Sequence, residues 1–367
     1  MRKIIQSIWI VINVFFAIGM IISAFGGYIH PGTFALTQIA CLMFPAWTIL
    51  SLVLLFINIK LNGKLALMHL AVLAICIKPI LTICPLNVDS NNISPINAPT
   101  FTLLTYNTLN FHDNEGIYPD NTNRTMSTII SYDADIVCLQ EVRWEAELYR
   151  NHVTKSQMDT LKRMYPYRLM YTRMGESILS KHPFREIKLR HPRWSSGDFK
   201  AYEVSLDSIR LTLFNCHLQS IRLSDDDKML YHDITRLKED LKSKNKISQV
   251  GRRLIDKLST AFKVRAEQAQ QLRHYINETK GNVIVAGDFN DVPLSYAYHT
   301  IKGKDLTDAY ATCAIGPTIT FNDNRFYFHI DHILYRGNLK AVDIKRGNIP
   351  SSDHYPLFTT FSIAPSR

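Results

Sequence analysis

Three long apolar stretches open the chain and constrain its fold more than any other feature. They cover residues 4–25, 34–59 and 65–86. Each is long enough to cross the hydrocarbon core of a bilayer as a helix, which takes about 20 residues. No acidic residue occurs before Asp89, and the few basic residues lie at or near the ends of the stretches. The sequence therefore predicts a transmembrane region of about three helices over residues 1–86.

The basic residues that flank these stretches predict the orientation of the chain. Arg2 and Lys3 precede the first stretch, Lys60 and Lys64 separate the second from the third, and no basic residue lies between the first and the second. By the positive-inside rule, the amino terminus and residues 60–64 face the cytoplasm. With three crossings, the rest of the chain lies outside. We expect a multi-pass protein of a bacterial inner membrane whose larger part is extracytoplasmic.

Two features leave alternatives to this topology open. A short basic start followed by an apolar run is also how a signal peptide begins, although this run is longer than the apolar core of a signal peptide. Lys78 and Pro79 interrupt the third stretch, and a charged residue inside a membrane costs a few kcal/mol unless it reaches the interface. If the third stretch does not cross, the orientation of everything after it is reversed.

Beyond the apolar stretches, the sequence changes to the pattern of an α/β domain. Residues 87–99 are rich in Asn, Ser and Pro and predict a linker, and residues 100–367 alternate short β-rich runs with amphipathic helices. A polar insertion at residues 220–262 is expected to form exposed helices between strands. The expected strands are residues 101–106, 136–139, 177–179, 211–216, 283–286 and 330–334, and the clearest helices are residues 125–132 and 264–277.

Polar side chains recur at the ends of these predicted strands, where a sheet can gather them into one site. Singly, each could be a turn residue, a helix cap or part of a solvated loop. Together they supply carboxylate and amide oxygens for a hard cation, and imidazoles that can activate water against a phosphoester. The six Cys residues show no zinc-binding spacing. The strand-end residues are Asn107, Glu141, His217, Asp288, Asn290, Asp331, Asp353 and His354.

The segments that carry these residues resemble the endonuclease/exonuclease/phosphatase superfamily, which includes deoxyribonucleases, apurinic endonucleases and sphingomyelinases. The resemblance covers residues 100–361 and implies a four-layer α/β sandwich, in which two mixed β-sheets pack face to face with helices outside. The segments are TYNTLNF, DIVCLQEV, ESILSKHPF, LFNCHLQS, VIVAGDFND, HIDHILY and SSDHYPL.

The resemblance also implies a metal centre and an imidazole that acts beside it. Glu141 corresponds to the principal Mg²⁺ ligand, with Asn107 beside it, and Asp353 corresponds to a residue that holds or orients the metal. Mn²⁺ and Ca²⁺ are the alternative metals. His354 corresponds to the histidine that contacts the scissile phosphate or activates water, and Asp331 to the carboxylate that orients it.

The remaining correspondences concern the nucleophile and the phosphate oxygens. Asp288 and Asn290 correspond to the pair that positions the nucleophile and binds phosphate, and His217 to a second histidine that contacts phosphate or protonates the leaving group. His329 stands where relatives often have Arg, and is expected to contact the substrate. Leu109 stands where several relatives have Asp, which places an auxiliary metal ligand there in doubt.

These features predict a membrane-anchored, metal-dependent phosphoesterase whose partners are a phosphodiester substrate and the lipid bilayer, with no protein partner. The first substrate class is nucleic acid, as for an endonuclease or exonuclease. The second is a phospholipid or sphingomyelin headgroup, because the tether holds the domain beside lipids. A non-catalytic binding module is the third hypothesis, and the presence of all eight strand-end residues disfavours it. For nucleic acid the candidate contacts are Tyr165, Tyr167, Arg168, Tyr171 and Arg173, although an amphipathic strand explains that segment better.

Overall fold

A computed structural model gives the fold of most of the chain. Residues 222–243 of the predicted insertion and residues 88–97 of the predicted linker lie outside the described residues, and side chains are not described at residues 244–250. The described residues are 2–87, 98–112, 122–144, 153–171, 175–190, 198–206, 209–221, 244–323, 326–348 and 351–364.

The amino-terminal region is helical. Among the described residues, Arg2–Tyr28 and Phe44–Leu61 are long and apolar enough to cross a membrane, and Gly63–Ile75 with Ile77–Ile83 counts as a third span if the two form one span bent by 60°. A short 3₁₀ helix at Gly26–Tyr28 follows the first helix. The helices are α1 (Arg2–Phe25), α2 (Pro31–Phe34), α3 (Leu36–Leu42), α4 (Phe44–Leu61), α5 (Gly63–Ile75) and α6 (Ile77–Ile83).

The second and third apolar stretches are each divided, and proline explains both breaks. The second stretch was expected to be continuous over residues 34–59, but α3 ends at Leu42 and α4 begins at Phe44. Pro45 has no backbone N–H to bond the carbonyl four residues earlier, so it is tolerated only in the first turn of a new helix. Pro79 has the same effect in the first turn of α6.

A buried polar cluster joins α1, α4 and α5. Nδ2 of Asn58 donates to Oδ1 of Asn13 over 2.6 Å, and Nε2 of His69 lies 3.0 Å from the same oxygen. The indole N–H of Trp9 donates to Oδ1 of Asn58 over 2.9 Å. Polar groups in apolar surroundings are costly unless they are paired. The cluster therefore fixes how these three helices pack against one another.

The remainder of the chain alternates strands and helices. A 3₁₀ turn at Leu109–Phe111 follows the first strand. The strands are β1 (Thr100–Asn107), β2 (Ile136–Val142), β3 (Tyr167–Leu169), β4 (Gly175–Ser180), β5 (Phe184–Ile187), β6 (Asp198–Leu206), β7 (Ile209–His217), β8 (Asn282–Asp288), β9 (Thr307–Asp308), β10 (Phe321–Asp323), β11 (Phe326–Phe328), β12 (Asp331–Arg336), β13 (Leu339–Arg346) and β14 (Leu357–Ile363). The helices are α7 (Arg124–Tyr132), α8 (Lys155–Met164), α9 (Lys244–Glu278), α10 (Tyr296–Lys302) and α11 (Ala309–Cys313).

Two six-stranded mixed sheets form the centre of this domain. Their strand orders are β13-β14-β1-β2-β4-β3 and β5-β6-β7-β8-β12-β9, and β10 and β11 form a separate hairpin. The pairs β1/β2 and β7/β8 are parallel, whereas their neighbours are antiparallel. The inner faces of the two sheets meet in one core that includes Leu103, Ile178, Leu213 and Ile284. The predicted pairing of two mixed sheets face to face is confirmed.

Helices cover the outer face of each sheet and complete the four layers. Met126 of α7 and Leu161 of α8 pack with strand residues of the first sheet. Leu272 of α9 and Ile301 of α10 pack with strand residues of the second. Every expected strand and both expected helices are present, although the expected helix at residues 264–277 is only the last part of the longer α9.

The helix α9 corrects the expectation for the polar insertion. From Lys244 onward the chain forms one continuous helix rather than several separate ones. Leu258, Ala261 and Phe262 are buried, so one face of this segment is covered instead of exposed. The Leu and Ile spacing of the insertion thus corresponds to an apolar face that packs on the domain.

The amino-terminal helices contact the sandwich directly through the residues that follow α1. Gly27 lies so close to the backbone that a Cβ there would be 1.7 Å from the carbonyl oxygen of Leu294, which only glycine permits. Tyr28 stacks on His299 with ring centroids 4.3 Å apart. The residues after α6 return to the same domain, because the backbone N–H of Gly316 donates to the carbonyl of Pro85 over 2.7 Å.

Candidate active site

The predicted site residues come from strands that end at the same edge of the sandwich. In the parallel pair β7/β8, His217 lies opposite Asp288, and in β1/β2 the last residue, Asn107, lies opposite the residue before Glu141. Asp331 begins the antiparallel strand β12 directly opposite Asp288. The carboxyl ends of parallel strands meet at one sheet edge. Strand register alone therefore brings together side chains that are far apart in sequence.

Gly287, which precedes Asp288, permits this close register. Its φ is +137°, and a Cβ at this position would be 2.0 Å from the carbonyl oxygen of Cys216. Only glycine tolerates such an approach between neighbouring backbones. The glycine of the GDFN segment is therefore required for His217 and Asp288 to stand side by side.

Two site residues have a left-handed backbone conformation. Glu141 has φ of 54° and Asn290 has φ of 51°. Asn tolerates this region, whereas for most side chains it costs about 1–2 kcal/mol per residue. The pairing of β2 with β4 is irregular between Leu139 and Val142, which is where Glu141 lies. Such strain persists only where the surrounding structure enforces it, and it clusters at functional sites.

The carboxylates of Glu141 and Asp288 converge on shared partners. Nδ2 of Asn107 donates to Oε1 of Glu141 and to Oδ2 of Asp288, each over 3.1 Å. Nε2 of His217 lies 3.3 Å from the same Glu141 oxygen and 3.8 Å from the same Asp288 oxygen. Two anionic groups are thus held together beside an amide and an imidazole.

An imidazole held by a carboxylate faces this pair. Nδ1 of His354 lies 2.9 Å from Oδ2 of Asp331, and Nε2 of His354 lies 3.6 Å from Oδ2 of Asp288. Both His354 and Asp331 are buried. The hydroxyl of Ser352 donates to the backbone carbonyl of Asn107 over 2.9 Å, which ties this loop to the end of β1. The carboxylate of Asp331 therefore fixes the ring so that Nε2 points at the carboxylate centre.

Burial and charge shift the pKa values of these groups in opposite directions. Burial alone would raise the pKa of Glu141, but His217 and the Asn107 amide lower it to about 2. Burial alone would lower the pKa of His217, but its contact with Glu141 and the charge of Asp288 raise it to about 9. Burial would also lower the pKa of His354, but the charges of Asp331 and Asp288 hold it well above its usual value. These carboxylates favour the protonated form of both imidazoles.

The donor set on one side of the site fits a hard divalent cation. The carboxylates of Glu141, Asp288 and Asp353 line one cavity, and oxygen ligands of this kind are the ones that Mg²⁺ prefers. Asn107 presents Nδ2 to the carboxylates while its Oδ1 accepts from the backbone of Leu109 over 3.2 Å. The side-chain amide of Asn107 would therefore have to rotate, exchanging Nδ2 and Oδ1, before its oxygen could bind the cation.

A second group of potential ligands lies on the other side. Asp288, Asp331 and His354 each place one ligand atom within 4.8 Å of the others. Asp331 and Nδ1 of His354 already contact each other, so these two groups form an oriented pair rather than half of a metal cage. The expectation that Glu141 and Asp353 hold the metal stays a prediction.

The structure brings the eight strand-end residues together and leaves His329 outside. Five of them line the cavity. The other three, Asn107, His217 and Asp331, each contact at least one of those five. The ring of His329 is buried against Tyr310 and His332, with centroids 5.0 and 4.8 Å away, and burial lowers its pKa well below the usual value. The expected substrate contact of His329 is thus corrected, because a buried neutral ring offers no charge to phosphate. The five cavity residues are Glu141, Asp288, Asn290, Asp353 and His354.

Sequence reasoning missed a buried ion pair beside the site. Nε of Arg265, in α9, lies 3.1 Å from Oδ2 of Asp291, and Nη1 donates to the carbonyl of Gln219 over 2.8 Å. Both side chains are almost fully buried and both line the cavity. Asp291 immediately follows the GDFN segment, and this position is the one local feature of the sequence that could have indicated its role. No local feature distinguishes Arg265, because it lies within a helix that contains many basic residues.

Models of protein families match parts of this chain. Residues 104–354, more than half of the chain, match the model of the Endonuclease/Exonuclease/phosphatase family. The chain belongs to this family. Members of the family hydrolyse phosphoester bonds and generally depend on a divalent metal. Residues 2–83 match a separate model, described as a domain of unknown function (DUF8431). A search of curated proteins found no match.

The solved structures to which the chain is similar are distant in sequence. An endonuclease/exonuclease/phosphatase from Beutenbergia cavernae DSM 12333 is 15% identical, covers 72% of each chain and has a TM-score of 0.44. One from Bacteroides vulgatus is 16% identical, covers 72% of this chain and 99% of that chain, and has a TM-score of 0.45. Truncated Caenorhabditis elegans TDP2 is 17% identical, covers 72% of this chain and 98% of that chain, and also has a TM-score of 0.45.

Proposed function

We propose that this chain is a metal-dependent phosphodiester hydrolase held at a membrane by its amino-terminal helices. The observation that carries the proposal is the convergence of Glu141, Asp288 and the His354–Asp331 pair on one cavity. Such a combination of acidic ligands and an oriented imidazole suits water attack on an anionic phosphoester.

The proposed metal ligands are Glu141 and Asp353. The amide oxygen of Asn107 joins them once the side-chain amide has rotated as described above. Mg²⁺ is the proposed ion, with Mn²⁺ or Ca²⁺ as alternatives. A divalent cation bound there supplies positive charge that stabilises the phosphoryl oxygens as negative charge develops on them. Glu141 suits this role because its low pKa keeps it ionised at neutral pH.

The remaining side chains divide the proton transfers and the contacts to phosphate. Asp288 accepts the backbone N–H of Asn290 through Oδ1 over 2.7 Å, and its Oδ2 faces His354 while accepting from the side-chain amides of Asn107 and Asn290. Rotation of the Asn107 amide onto the cation would release one of these bonds, so that Oδ2 can orient a water molecule. His354, protonated and fixed by Asp331, donates to a phosphate oxygen. His217, whose pKa is raised to about 9, can give its proton to the leaving oxygen. Asn290 also lines the cavity, but its Nδ2 donates to the carbonyl of Leu218 over 2.9 Å and to Oδ2 of Asp288 over 3.2 Å, so it would contact phosphate only by giving up the bond to Asp288.

The membrane part of the proposal is supported by the way the two regions meet. The backbone N–H of Tyr296 donates to Oε1 of Gln38, which lies between α1 and α4, and Pro85, which follows α6, also contacts the sandwich. The end of α1 and the end of α6 therefore reach the same side of the helix bundle. This agrees with a third crossing by α5 and α6, and the positive-inside rule then assigns that side to the exterior.

Metal removal tests the proposed chemistry. We expect excess EDTA to lower the hydrolysis of bis-p-nitrophenyl phosphate by the purified full-length chain at least about 100-fold, because the phosphoryl charge would lose its main counterion. Added Mg²⁺ should restore the rate. EDTA that has been saturated with Mg²⁺ beforehand is the control and should have no effect. An undiminished rate in excess EDTA would refute the metal-dependent mechanism.

A further inference from the structure

The cavity beside the candidate site is lined by both polar and apolar side chains. Its volume is about 230 Å³, and the carboxylates and His354 form its polar part. Its apolar part, called the apolar wall, comes from one face of α9 and from the β10–β11 hairpin, where the ring of Phe321 lies 5.0 Å from that of His354 between centroids. Binding sites of mixed character accept ligands that are themselves divided into a polar and an apolar part. The apolar wall includes Leu254, Leu258, Phe262, Phe321, Phe326 and Phe328.

The part of α9 that borders the cavity is amphipathic. Leu254, Leu258 and Phe262 are spaced four residues apart and therefore share one face of the helix. Basic residues of the same segment, Arg252 and Lys257 among them, line a neighbouring cleft. A helix with an apolar face and Lys or Arg beside it is typical of segments that lie at a membrane surface.

The amino-terminal region contributes directly to this cavity. Leu42, the last residue of α3, is one of its lining residues, and α4, which is long and apolar enough to cross a membrane, begins two residues later. The helices α2 and α3 also pack against α9. One lining residue of the cavity thus lies two residues before a candidate membrane span, which would hold the cavity close to the surface of the bilayer.

The side chains that line the cavity itself carry little positive charge for a long polyanion, since the basic residues of the neighbouring cleft are not among them. Among the described residues that line it, Arg265 and His354 are the side chains that can carry positive charge, and Arg265 is already paired with Asp291. Binding of nucleic acid relies on several cations along the backbone and on stacking faces for the bases. A single phosphodiester next to hydrocarbon needs neither.

The tyrosine and arginine segment that was considered for nucleic acid is also engaged elsewhere. Tyr165 is fully buried in the core of the first sheet. Arg168 donates to the backbone carbonyl of Tyr165 over 3.0 Å, and the hydroxyl of Tyr171 donates to Glu186 over 2.7 Å. Arg173 lies outside the described residues. Of the described residues in this segment, Tyr167 keeps an exposed ring, at 42%, and one exposed ring is too few for the successive stacked bases of single-strand binding.

We propose that the substrate is a membrane phospholipid whose phosphodiester reaches the candidate site while part of its hydrocarbon chain occupies the apolar wall of the cavity. This inference rests on the proposed function and names the substrate class of the same site. The oxygen of water adds to phosphorus as one phosphorus–oxygen ester bond breaks. The proton lost by the water passes to the carboxylate of Asp288, and the leaving alcohol takes a proton from His217. Nε2 of His217 lies 3.8 Å from Oδ2 of Asp288, so transfer of the proton from Asp288 to His217 restores both groups and no further reactant is required.

The first test compares substrates on the full-length chain in detergent with Mg²⁺. The substrates are mixed dioleoyl phosphatidylcholine, phosphatidylglycerol and phosphatidylethanolamine, their dihexanoyl analogues, plasmid DNA and bis-p-nitrophenyl phosphate. We expect kcat/KM for a long-chain lipid to exceed that for its short-chain analogue at least tenfold. Cleavage of DNA without lipid, or the absence of a chain-length preference, would overturn the inference and leave the proposed function intact. Failure to cleave any of the substrates would contradict the proposed function itself.

The second test changes the apolar wall. Leu258→Asp is expected to lower the rate on dioleoyl lipid, relative to the rate on bis-p-nitrophenyl phosphate, at least tenfold, because a charge would replace the surface against which the chain packs. Leu258→Met should retain the wild-type ratio. Thr260→Asp adds the same charge to an exposed position of α9 and should leave the ratio unchanged. Equal losses on both substrates in Leu258→Asp would show a structural effect only and would contradict the assignment.

Discussion

Replacement of His354 by alanine is expected to lower kcat/KM for a soluble phosphodiester by about 10²–10⁴-fold, the range typical of a positioned acid or base. The ring is buried, its Nδ1 is held by Asp331 at 2.9 Å and its Nε2 faces Asp288 at 3.6 Å. Its removal takes a positive charge away from the phosphate position and leaves two carboxylates without their shared counterion. The measurement is steady-state hydrolysis of bis-p-nitrophenyl phosphate by the full-length variant.

Two controls separate a catalytic effect of His354 from a structural one. His274→Ala removes an exposed histidine from α9 that pairs with Glu278 over 3.4 Å, and should leave the rate within about twofold of wild type, since surface substitutions have small effects. Asp331→Asn keeps the shape of the orienting group but weakens its hold on the ring. It should therefore lower the rate and change its pH profile. Wild-type activity in folded His354→Ala would eliminate the assigned role.

Replacement of Arg265 by alanine is expected to lower the free energy of unfolding by about 3–5 kcal/mol. The side chains of Arg265 and Asp291 are only 1% and 3% exposed and lie 3.1 Å apart. Loss of the guanidinium leaves a buried carboxylate without its cation, and burial already raises the pKa of that carboxyl. The midpoint of thermal unfolding in detergent, followed by tryptophan fluorescence, should fall by roughly 10 °C.

The matched control for this effect is Lys263→Ala, which removes an exposed cation two residues earlier on the same helix. It should change the unfolding free energy by less than about 0.5 kcal/mol. The double variant Arg265→Met with Asp291→Asn removes both charges and should recover most of the lost stability, because no unpaired ion remains buried. Equal stability of Arg265→Ala and Lys263→Ala would contradict the importance of the pair.

The site was predictable because its residues stand in locally recognisable positions. Asn107, Glu141, His217 and Asp288 each follow a short buried run that has the composition of a strand. That order along the chain resembles a known family, and the strand register then brings the side chains together. The end of a strand can be predicted from local sequence, because the run of apolar residues, or their alternation with polar ones, stops there.

Long-range packing was not predictable in the same way. The pairing of Arg265 with Asp291 and the placement of Leu42 beside the cavity depend on which helix face meets which strand edge, and hydrophobic spacing does not specify this. The expected contact of His329 with substrate was wrong for a related reason. Residues 329–330 precede β12 and are not part of a strand, so their side chains do not follow the alternation of the sheet.

The division of the second apolar stretch has a simpler origin. Composition alone does not distinguish residues 34–43 from residues 44–59, because both are apolar. Pro45 is the residue that ends one helix and begins the next, and it places α3 against the sandwich rather than in line with α4. A proline inside an apolar stretch should therefore be treated as a boundary between a span and a docking segment.

Glu141 and its neighbours are proposed to hold a divalent cation where a phosphoester is hydrolysed. Anomalous diffraction from crystals of the full-length chain soaked in Mn²⁺ would locate that cation. We predict a manganese peak about 2.1 Å from a carboxylate oxygen of Glu141, close to Asp353, which disappears in Glu141→Ala. No peak in this cavity, or a peak bound only by Asp331 and His354, would contradict the account.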